Sequence, residues 1–180
     1  PCWGNGFVSE FDFILILDYG SQYTQLIARR IRELKVYCEI LACHSPRTPG
    51  RLADPRLKGV VLSGGPASVT RSGSPRLPAA LRKGASVPVL GICYGMQLMT
   101  KEWGGKVARG GRREYGPAEL KPRKGSRLLA GLPAASRVWM SHGDWVKKLP
   151  PGFRATGATR TLKHAAMEDG PGQRFGIQFH

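Results

Sequence analysis

A cysteine flanked by two glycines is the part of this chain that most directly indicates chemistry. The sequence Gly91-Ile92-Cys93-Tyr94-Gly95 follows a short apolar run at 87–90 and precedes a stretch with helical character. A buried strand that turns sharply into a helix presents the residue at the turn as a nucleophile, and the glycines remove side chains that would clash there. The N-terminus of the helix also favours a thiolate over a thiol. Cys93 is therefore predicted to be a nucleophile; the alternative is a structural cysteine buried at a glycine-rich strand end.

The first hundred residues contain the elements that must hold this turn in place. Apolar runs predict strands at 12–18, 36–41, 59–62 and 87–90. Helices are predicted at 22–34, with Ser21 as its N-cap, and at 78–83, while 44–55 is predicted to be a loop with at most one helical turn. The apolar face of the first helix is predicted to consist of Leu26, Ile27, Ile31 and Leu34. This alternation predicts an α/β fold, with a mostly parallel central sheet and flanking helices.

After residue 105 the pattern changes to short strand candidates separated by glycine and proline turns. These candidates lie at 106–109, 115–120, 138–140, 154–159, 164–168 and 174–179. Such spacing indicates a more antiparallel C-terminal half. With 180 residues and no internal repeat, we predict one domain over 12–180. Residues 1–11 are predicted to be an N-terminal tail, either a cloning remnant or part of an upstream segment.

The charge balance is strongly basic, with 28 Lys and Arg against 12 Asp and Glu and a formal net charge of +16. A basic surface binds nucleic acid by releasing counterions from its phosphates. Here, however, the basic residues are scattered in short clusters such as Arg29-Arg30 and Lys147-Lys148, without interleaved aromatic residues. The pattern favours a solvated basic surface that faces an acidic partner domain over specific nucleic-acid binding.

The four cysteines, Cys2, Cys38, Cys43 and Cys93, have no C-x-x-C spacing and no nearby paired histidines. This usage predicts neither a zinc or other metal site nor a disulfide framework, and it favours the reducing cytoplasm. No apolar run approaches the 18 residues of a membrane span, so no membrane association is expected.

Six separated stretches together resemble the class I glutamine amidotransferase domain, and most closely that domain as it occurs in GMP synthetases. They are LDYGSQYTQLIARRIRE (17–33), VVLSGGPASV (60–69), VPVLGICYGMQLM (87–99), REYGPAEL (113–120), VWMSHGD (138–144) and RFGIQFH (174–180). The resemblance covers 12–180 in unbroken order. It implies a glutaminase that supplies ammonia for the conversion of XMP to GMP, in cytoplasmic purine biosynthesis.

The resemblance also implies a role for each matching residue. Cys93 is the nucleophile that forms a γ-glutamyl thioester, and His180 is the catalytic base. The oxyanion hole is formed by the backbone N–H groups of Gly65 and Tyr94. The glutamine pocket maps to Gln97, Ser141, Gly143 and Asp144, with Asp144 or its neighbours near the substrate ammonium. His142 is expected to have a structural or pocket role, Trp139 and Trp145 to be packing residues, and Asp18 to fix the first turn.

Two departures from the family pattern leave alternatives open. The family histidine is followed by Pro and Glu, and this sequence ends at His180, so the Glu of a Cys-His-Glu triad is missing. The expected partner, an ATP pyrophosphatase (synthetase) domain that uses ATP and magnesium, is also absent from the sequence, while the glutaminase half reaction is expected to need no cofactor. The chain is therefore expected to be a truncated domain or a separate subunit. The alternatives are an amidotransferase of another pathway, such as the anthranilate synthase type, or a catalytically inactive partner-binding fragment.

Overall fold

The computed structural model describes residues 11–84, 86–171 and 173–180, so all but one residue of the predicted tail at 1–11 lies outside the described residues. Nine strands and four helices form within this part of the chain. The strands are Phe13–Asp18 (β1), Cys38–Ala42 (β2), Leu57–Leu62 (β3), Val89–Ile92 (β4), Lys106–Pro122 (β5), Ser136–Lys148 (β6), Phe153–Ala158 (β7), Ala166–Asp169 (β8) and Arg174–Ile177 (β9). The helices are Thr24–Glu33 (α1), Thr48–Leu52 (α2), Ala79–Arg82 (α3) and Tyr94–Glu102 (α4).

All nine described strands belong to one sheet, in the order β2-β1-β3-β4-β9-β8-β7-β5-β6. The pairs from β2 to β9 are parallel and those from β9 to β6 are antiparallel, which confirms the predicted α/β fold with a more antiparallel C-terminal half. β9 differs from the prediction, because it pairs in parallel with β4 on one side and antiparallel with β8 on the other. The last strand therefore joins the two halves of the sheet.

β1 confirms the prediction of a strand that is buried on both faces. Its side chains alternate between two hydrophobic clusters, with Leu15 and Leu17 in one and Ile16 in the other. The candidates at 106–109 and 115–120, in contrast, form a single long strand, β5, paired with β6. A register shift between Arg109 and Glu114 interrupts that pairing, and it accounts for the break in the sequence pattern.

The predicted packing face of α1 is confirmed in part, since Ile27 and Ile31 pack against the buried cluster that contains Ile16. Leu26 is 47% exposed and Leu34 is 77% exposed, whereas Thr24 and Ala28 are the buried residues of the helix. Small side chains on the buried face let the helix lie close to the sheet. Ser21 is not the N-cap either, since Tyr23 occupies that position and the Ser21 hydroxyl accepts a hydrogen bond from the Tyr23 N–H at 3.1 Å.

The longest helices among the described residues are α1 and α4, with 10 and 9 residues. None of the helices in this part of the chain has the length and apolar character needed to cross a membrane.

β9 and α4 pack closely because a glycine lies between them. A Cβ atom added to Gly176 of β9 would lie 2.7 Å from Cγ of Met96 and 2.9 Å from Cε of Met167. Both methionines are fully buried in the core. This contact sets the distance between α4, which follows Cys93, and the strand that leads to His180.

Replacing Gly176 by alanine is expected to lower the free energy of unfolding by about 1–3 kcal/mol, because the added methyl group overpacks a filled core. Urea denaturation followed by circular dichroism measures the change. Gly170→Ala is the matched control, since a Cβ at Gly170 meets no atom within 4 Å. Equal stability of the two variants would contradict this view of the β9–α4 contact.

Candidate active site

Cys93 lies at the sharp turn between β4 and α4, as the sequence predicts. Its backbone has φ 52° and ψ −103°, a conformation that costs energy for a residue with a side chain and that clusters at functional sites. Only glycine fits at positions 91 and 95, because a side chain at either position would clash with neighbouring atoms. A Cβ at Gly91 would lie 2.6 Å from the carbonyl carbon of Gly95, and a Cβ at Gly95 would collide with the carbonyl oxygen of Leu62. The turn therefore holds Cys93 in one orientation.

A cavity of about 780 Å³ opens beside this turn, at the edge of the sheet where β1, β3, β4 and β9 end. Ligands of open α/β sheets bind at this carboxyl edge. The lining residues come from these strand ends, from α4 and from the β5–β6 hairpin: Gly20, Ser21, Gln22, Tyr23, Gly64, Gly65, Pro66, Ala67, Ser68, Arg71, Cys93, Gln97, Arg109, Gly110, Tyr115, Ser141, His142, Gly143, Asp144 and His180. Every predicted site residue except Tyr94 is among them.

His180 and Cys93 both lie close to Gly64. A Cβ added to Gly64 would be 3.4 Å from Cε1 of His180 and 3.7 Å from Cβ of Cys93. The His180 backbone exchanges two hydrogen bonds with Trp139, at 2.9 and 3.0 Å, and its ring packs against Tyr23 with a centroid distance of 4.7 Å. These contacts fix the histidine at the cavity wall. Among the described residues, no hydrogen bond joins the His180 ring to the Cys93 thiol.

The thiol of Cys93 has two other partners. It donates to the carbonyl oxygen of Ser141 at 3.8 Å, and the side-chain amide of Gln178 donates to the sulfur at 3.5 Å. Burial raises the pKa of Cys93 to about 11, although the Tyr94 N–H and the Gln178 amide both act to lower it. The Tyr94 N–H at the start of α4 thus favours the thiolate, as expected, but the loss of solvation outweighs it and the thiol is protonated in the resting site.

His180 has the electrostatic properties of a proton acceptor. Burial lowers its pKa below the ordinary value of 6.5, so the imidazole is neutral at neutral pH. A neutral imidazole beside a protonated thiol is the arrangement in which a base can accept the proton as the sulfur attacks.

The two predicted oxyanion donors are the backbone N–H groups of Gly65, in the loop after β3, and of Tyr94, at the start of α4. Gly65 lines the cavity, and a Cβ there would collide with the carbonyl oxygen of Tyr19, so only glycine fits. The Tyr94 side chain points elsewhere: its ring packs against Tyr19 at 5.4 Å and its hydroxyl donates to the Pro75 carbonyl at 2.7 Å. What Tyr94 presents to Cys93 is its backbone N–H.

Asp18 fixes the first turn, as interpreted from the sequence. One carboxylate oxygen of Asp18 accepts hydrogen bonds from the N–H groups of Gly20 and Ser21, at 2.9 and 3.2 Å, and from the Thr24 hydroxyl at 2.7 Å. The Tyr19 N–H in turn donates to the Ser63 hydroxyl at 2.9 Å. The β1–α1 turn and the loop after β3 are thereby tied together on one side of the cavity.

The predicted glutamine pocket lies on the other side, where the side-chain amide of Gln97 donates to the backbone oxygen of Asp144 at 2.9 Å. The Asp144 carboxylate accepts a hydrogen bond from the Ser68 hydroxyl. His142 is buried at the cavity, and burial lowers its pKa, which agrees with a pocket role. No group of three His, Cys, Asp or Glu side chains in the described part of the chain is arranged to hold a metal ion.

Two tryptophans that were expected to be packing residues differ from each other. Trp145 packs against a buried cluster that includes Leu120 and Met140. Trp139 is 51% exposed, so its prediction as a packing residue is wrong. Its place on β6 is set by backbone pairing with Pro117 and His180 rather than by side-chain burial.

Sequence reasoning missed three residues of the site. Gln178, Tyr23 and Ser68 contact Cys93, His180 and Asp144, respectively. Gln178 lies in the stretch at 174–180, and its signal is a polar residue at an apolar strand end beside a predicted base. Tyr23 and Ser68 carry no comparable signal, because their contacts depend on how separate loops meet.

Comparisons with known proteins identify the family of this chain. Residues 15–180 match the model of the glutamine amidotransferase class-I family. A glutamine-hydrolyzing GMP synthase from Oleidesulfovibrio alaskensis is 54% identical over 169 residues, which cover 93% of this chain and 32% of that protein. The corresponding protein from Thermomicrobium roseum is 48% identical, and the match covers 95% of this chain and 32% of that protein. The chain thus spans about a third of the length of these curated relatives.

The crystal structure of a glutamine amidotransferase from Thermotoga maritima has the same fold. It superposes with a TM-score of 0.72 at 23% identity, and the match covers 96% of this chain and 76% of that one.

Proposed function

The chain belongs to the class-I glutamine amidotransferase family, and on that basis we propose that it hydrolyses glutamine to glutamate and ammonia. The observation that carries the proposal is the meeting of Cys93, at a strained strand-to-helix turn, with His180 in one cavity. A nucleophile and a neutral base on the walls of a cavity large enough for an amino acid are what hydrolysis of an amide requires. The proposed unit is the domain over 12–180.

The proposed reaction begins when His180 accepts the proton of the Cys93 thiol and the sulfur attacks the side-chain carbonyl carbon of glutamine. The N–H groups of Gly65 and Tyr94 donate to the oxyanion of the tetrahedral intermediate. His180 then gives its proton to the departing nitrogen, ammonia leaves, and a γ-glutamyl thioester remains. A water molecule, deprotonated by His180, attacks the thioester and releases glutamate, which restores the thiol.

Substrate binding is assigned to the hairpin side of the cavity. The Asp144 carboxylate, held by Ser68, is proposed to bind the α-ammonium group of glutamine. Gln97, Ser141 and Gly143 complete this wall, where backbone groups would bind the α-carboxylate. No metal or organic cofactor takes part in the proposed half reaction, since every proton and electron pair in it passes between the thiol, the imidazole, water and the substrate.

Replacing Cys93 by alanine is expected to reduce ammonia release from glutamine by about 10⁴-fold or more, because the covalent step is lost.

His180→Ala is expected to reduce kcat by about 10²-fold to 10⁴-fold, the usual contribution of a positioned base. In the unsubstituted chain, activity is expected to be kept at pH 6.5 and to fall as the pH drops through the pKa of His180, which burial lowers below 6.5, since protonated His180 cannot accept the thiol proton. A coupled glutamate dehydrogenase assay of ammonia measures all three.

Cys43→Ala and His44→Ala are the matched controls, because these residues do not line the cavity and contact each other at 3.9 Å on another part of the surface. Both controls are expected to keep the starting activity. Ammonia release that survives in Cys93→Ala would refute the proposed mechanism.

We further propose that the ammonia serves the conversion of XMP to GMP on an ATP pyrophosphatase (synthetase) domain or subunit, which uses ATP and magnesium. The names and greater length of the relatives support this role. Two exposed aromatic residues, Tyr115 and Trp139, lie diagonally on the β5–β6 hairpin, and Tyr115 also lines the cavity. A partner that receives ammonia would dock on this hairpin. A location in the cytoplasm belongs to the same proposal, and the free thiols of Cys38, Cys43 and Cys93 support it.

A synthetase domain produced separately from one of these relatives tests this role. Mixed with the chain, ATP, magnesium, XMP and glutamine, it is expected to form GMP, which chromatography measures. Ammonium chloride in place of glutamine is the control, since it bypasses the glutaminase. A contradicting result is one in which the chain by itself releases ammonia from glutamine, but the mixture forms GMP only when ammonium is added. That result would assign the chain to another pathway.

A further inference from the structure

We propose that Gln178 is a positioning residue for the nucleophile, which holds the Cys93 sulfur by a hydrogen bond whose direction is set by Gln97. Its importance for turnover rests on the proposed glutaminase function, whereas its effect on the thiol does not. Nothing in the mechanism above uses this side chain.

The three side chains form a continuous buried chain of contacts. Gln178 has no exposed surface and Gln97 is 3% exposed. The Gln97 amide nitrogen donates to the Asp144 backbone oxygen at 2.9 Å and to the Gln178 side-chain oxygen at 3.2 Å. The Gln178 amide nitrogen then donates to the Cys93 sulfur at 3.5 Å. The chain therefore runs from the substrate-binding hairpin to the nucleophile.

Which group donates and which accepts in these hydrogen bonds is set by one acceptor, the backbone oxygen of Asp144. A backbone carbonyl can only accept, so the atom of Gln97 that faces the Asp144 carbonyl must be the amide nitrogen. The second hydrogen of that nitrogen points to Gln178 and requires an oxygen there. The side-chain oxygen of Gln178 thus faces Gln97, and its N–H faces the sulfur. A glutamine at 178 with the opposite orientation would leave two donors facing each other.

The Gln178 amide N–H beside the Cys93 sulfur opposes burial, which raises the pKa of the thiol. An N–H group that points at the sulfur stabilises the thiolate more than the thiol, and a hydrogen bond to a charged group is stronger than one to a neutral group. The backbone of Gln178 is fixed as well, because its N–H donates to the Ala165 oxygen at 2.8 Å. Other titratable groups face the same cavity: Tyr23, Arg71, Arg109, Tyr115, His142, Asp144 and His180. Those groups remain in place when residue 178 is changed.

The test is the rate at which iodoacetamide alkylates Cys93, followed by mass spectrometry of its peptide from about pH 7 to about pH 10. In the unsubstituted chain the rate rises with pH toward the raised pKa of about 11. In Gln178→Leu the whole profile is expected to move to higher pH, with a rate about tenfold lower at each pH, because one donor to the thiolate is lost. Gln173→Leu is the matched control, since this glutamine is exposed and directly precedes β9, the strand that Gln178 follows.

A second variant covers the case in which Gln178→Leu does not fold. Gln178→Glu keeps the acceptor for Gln97, and its ionised carboxylate at about pH 9 cannot donate to the sulfur. Alkylation of Cys93 in this variant is expected to be slower still, because the added negative charge opposes the thiolate. A folded variant of either kind whose alkylation profile matches that of the unsubstituted chain would overturn the proposal.

Ammonia release is measured on the same samples. A fall in kcat with little change in KM is expected for Gln178→Leu, since the side chain contacts the nucleophile and not the substrate. If the unsubstituted chain releases no ammonia, the proposed function fails. The alkylation profiles still decide whether Gln178 acts on the sulfur.

Discussion

The parallel pairing of β4 with β9 is the contact on which the site depends. Cys93 directly follows β4 and β9 leads to His180, so this pairing brings two residues from distant parts of the chain to one edge of the sheet. The hydrogen bond from the Cys93 N–H to the Ile177 oxygen, at 2.7 Å, continues the pairing into the turn itself. Gly176 lets α4 lie close against the same strand. The strained backbone of Cys93 is thus held from both sides.

Burial and hydrogen bonding act in opposite directions on the nucleophile. Burial keeps the Cys93 thiol protonated, with a pKa of about 11, and keeps His180 neutral by lowering its pKa. A thiol and a neutral imidazole can exchange a proton during the reaction without a stable charge in the resting cavity. The Tyr94 N–H and the Gln178 amide lower the pKa of the Cys93 thiol. They therefore reduce the difference between the pKa of the thiol and that of His180, which the proton transfer must overcome.

Much of this arrangement could be predicted from residue types and spacing. The turn at Cys93, the role of Asp18 and the change to antiparallel strands follow from local patterns of glycine, apolar residues and turn residues. The parallel pairing of β9 could not be predicted in this way, because strand direction depends on which distant strand lies next to it. The exposure of Leu26, Leu34 and Trp139 was also mispredicted, since hydrophobicity alone does not show which side of an element meets the sheet. Contacts between separate loops, such as that of Ser68 with Asp144, have no signature in the sequence.

A glutamine analogue with a diazoketone in place of the amide tests most directly whether Cys93 and the cavity act together. Such a compound binds as glutamine does and alkylates a nearby nucleophile with loss of dinitrogen. Peptide mass spectrometry is expected to find the adduct on Cys93, at a rate that excess glutamine lowers and that His180→Ala reduces. An adduct distributed over Cys38 and Cys43 as well, with no protection by glutamine, would contradict the assignment of this cavity as a glutamine site.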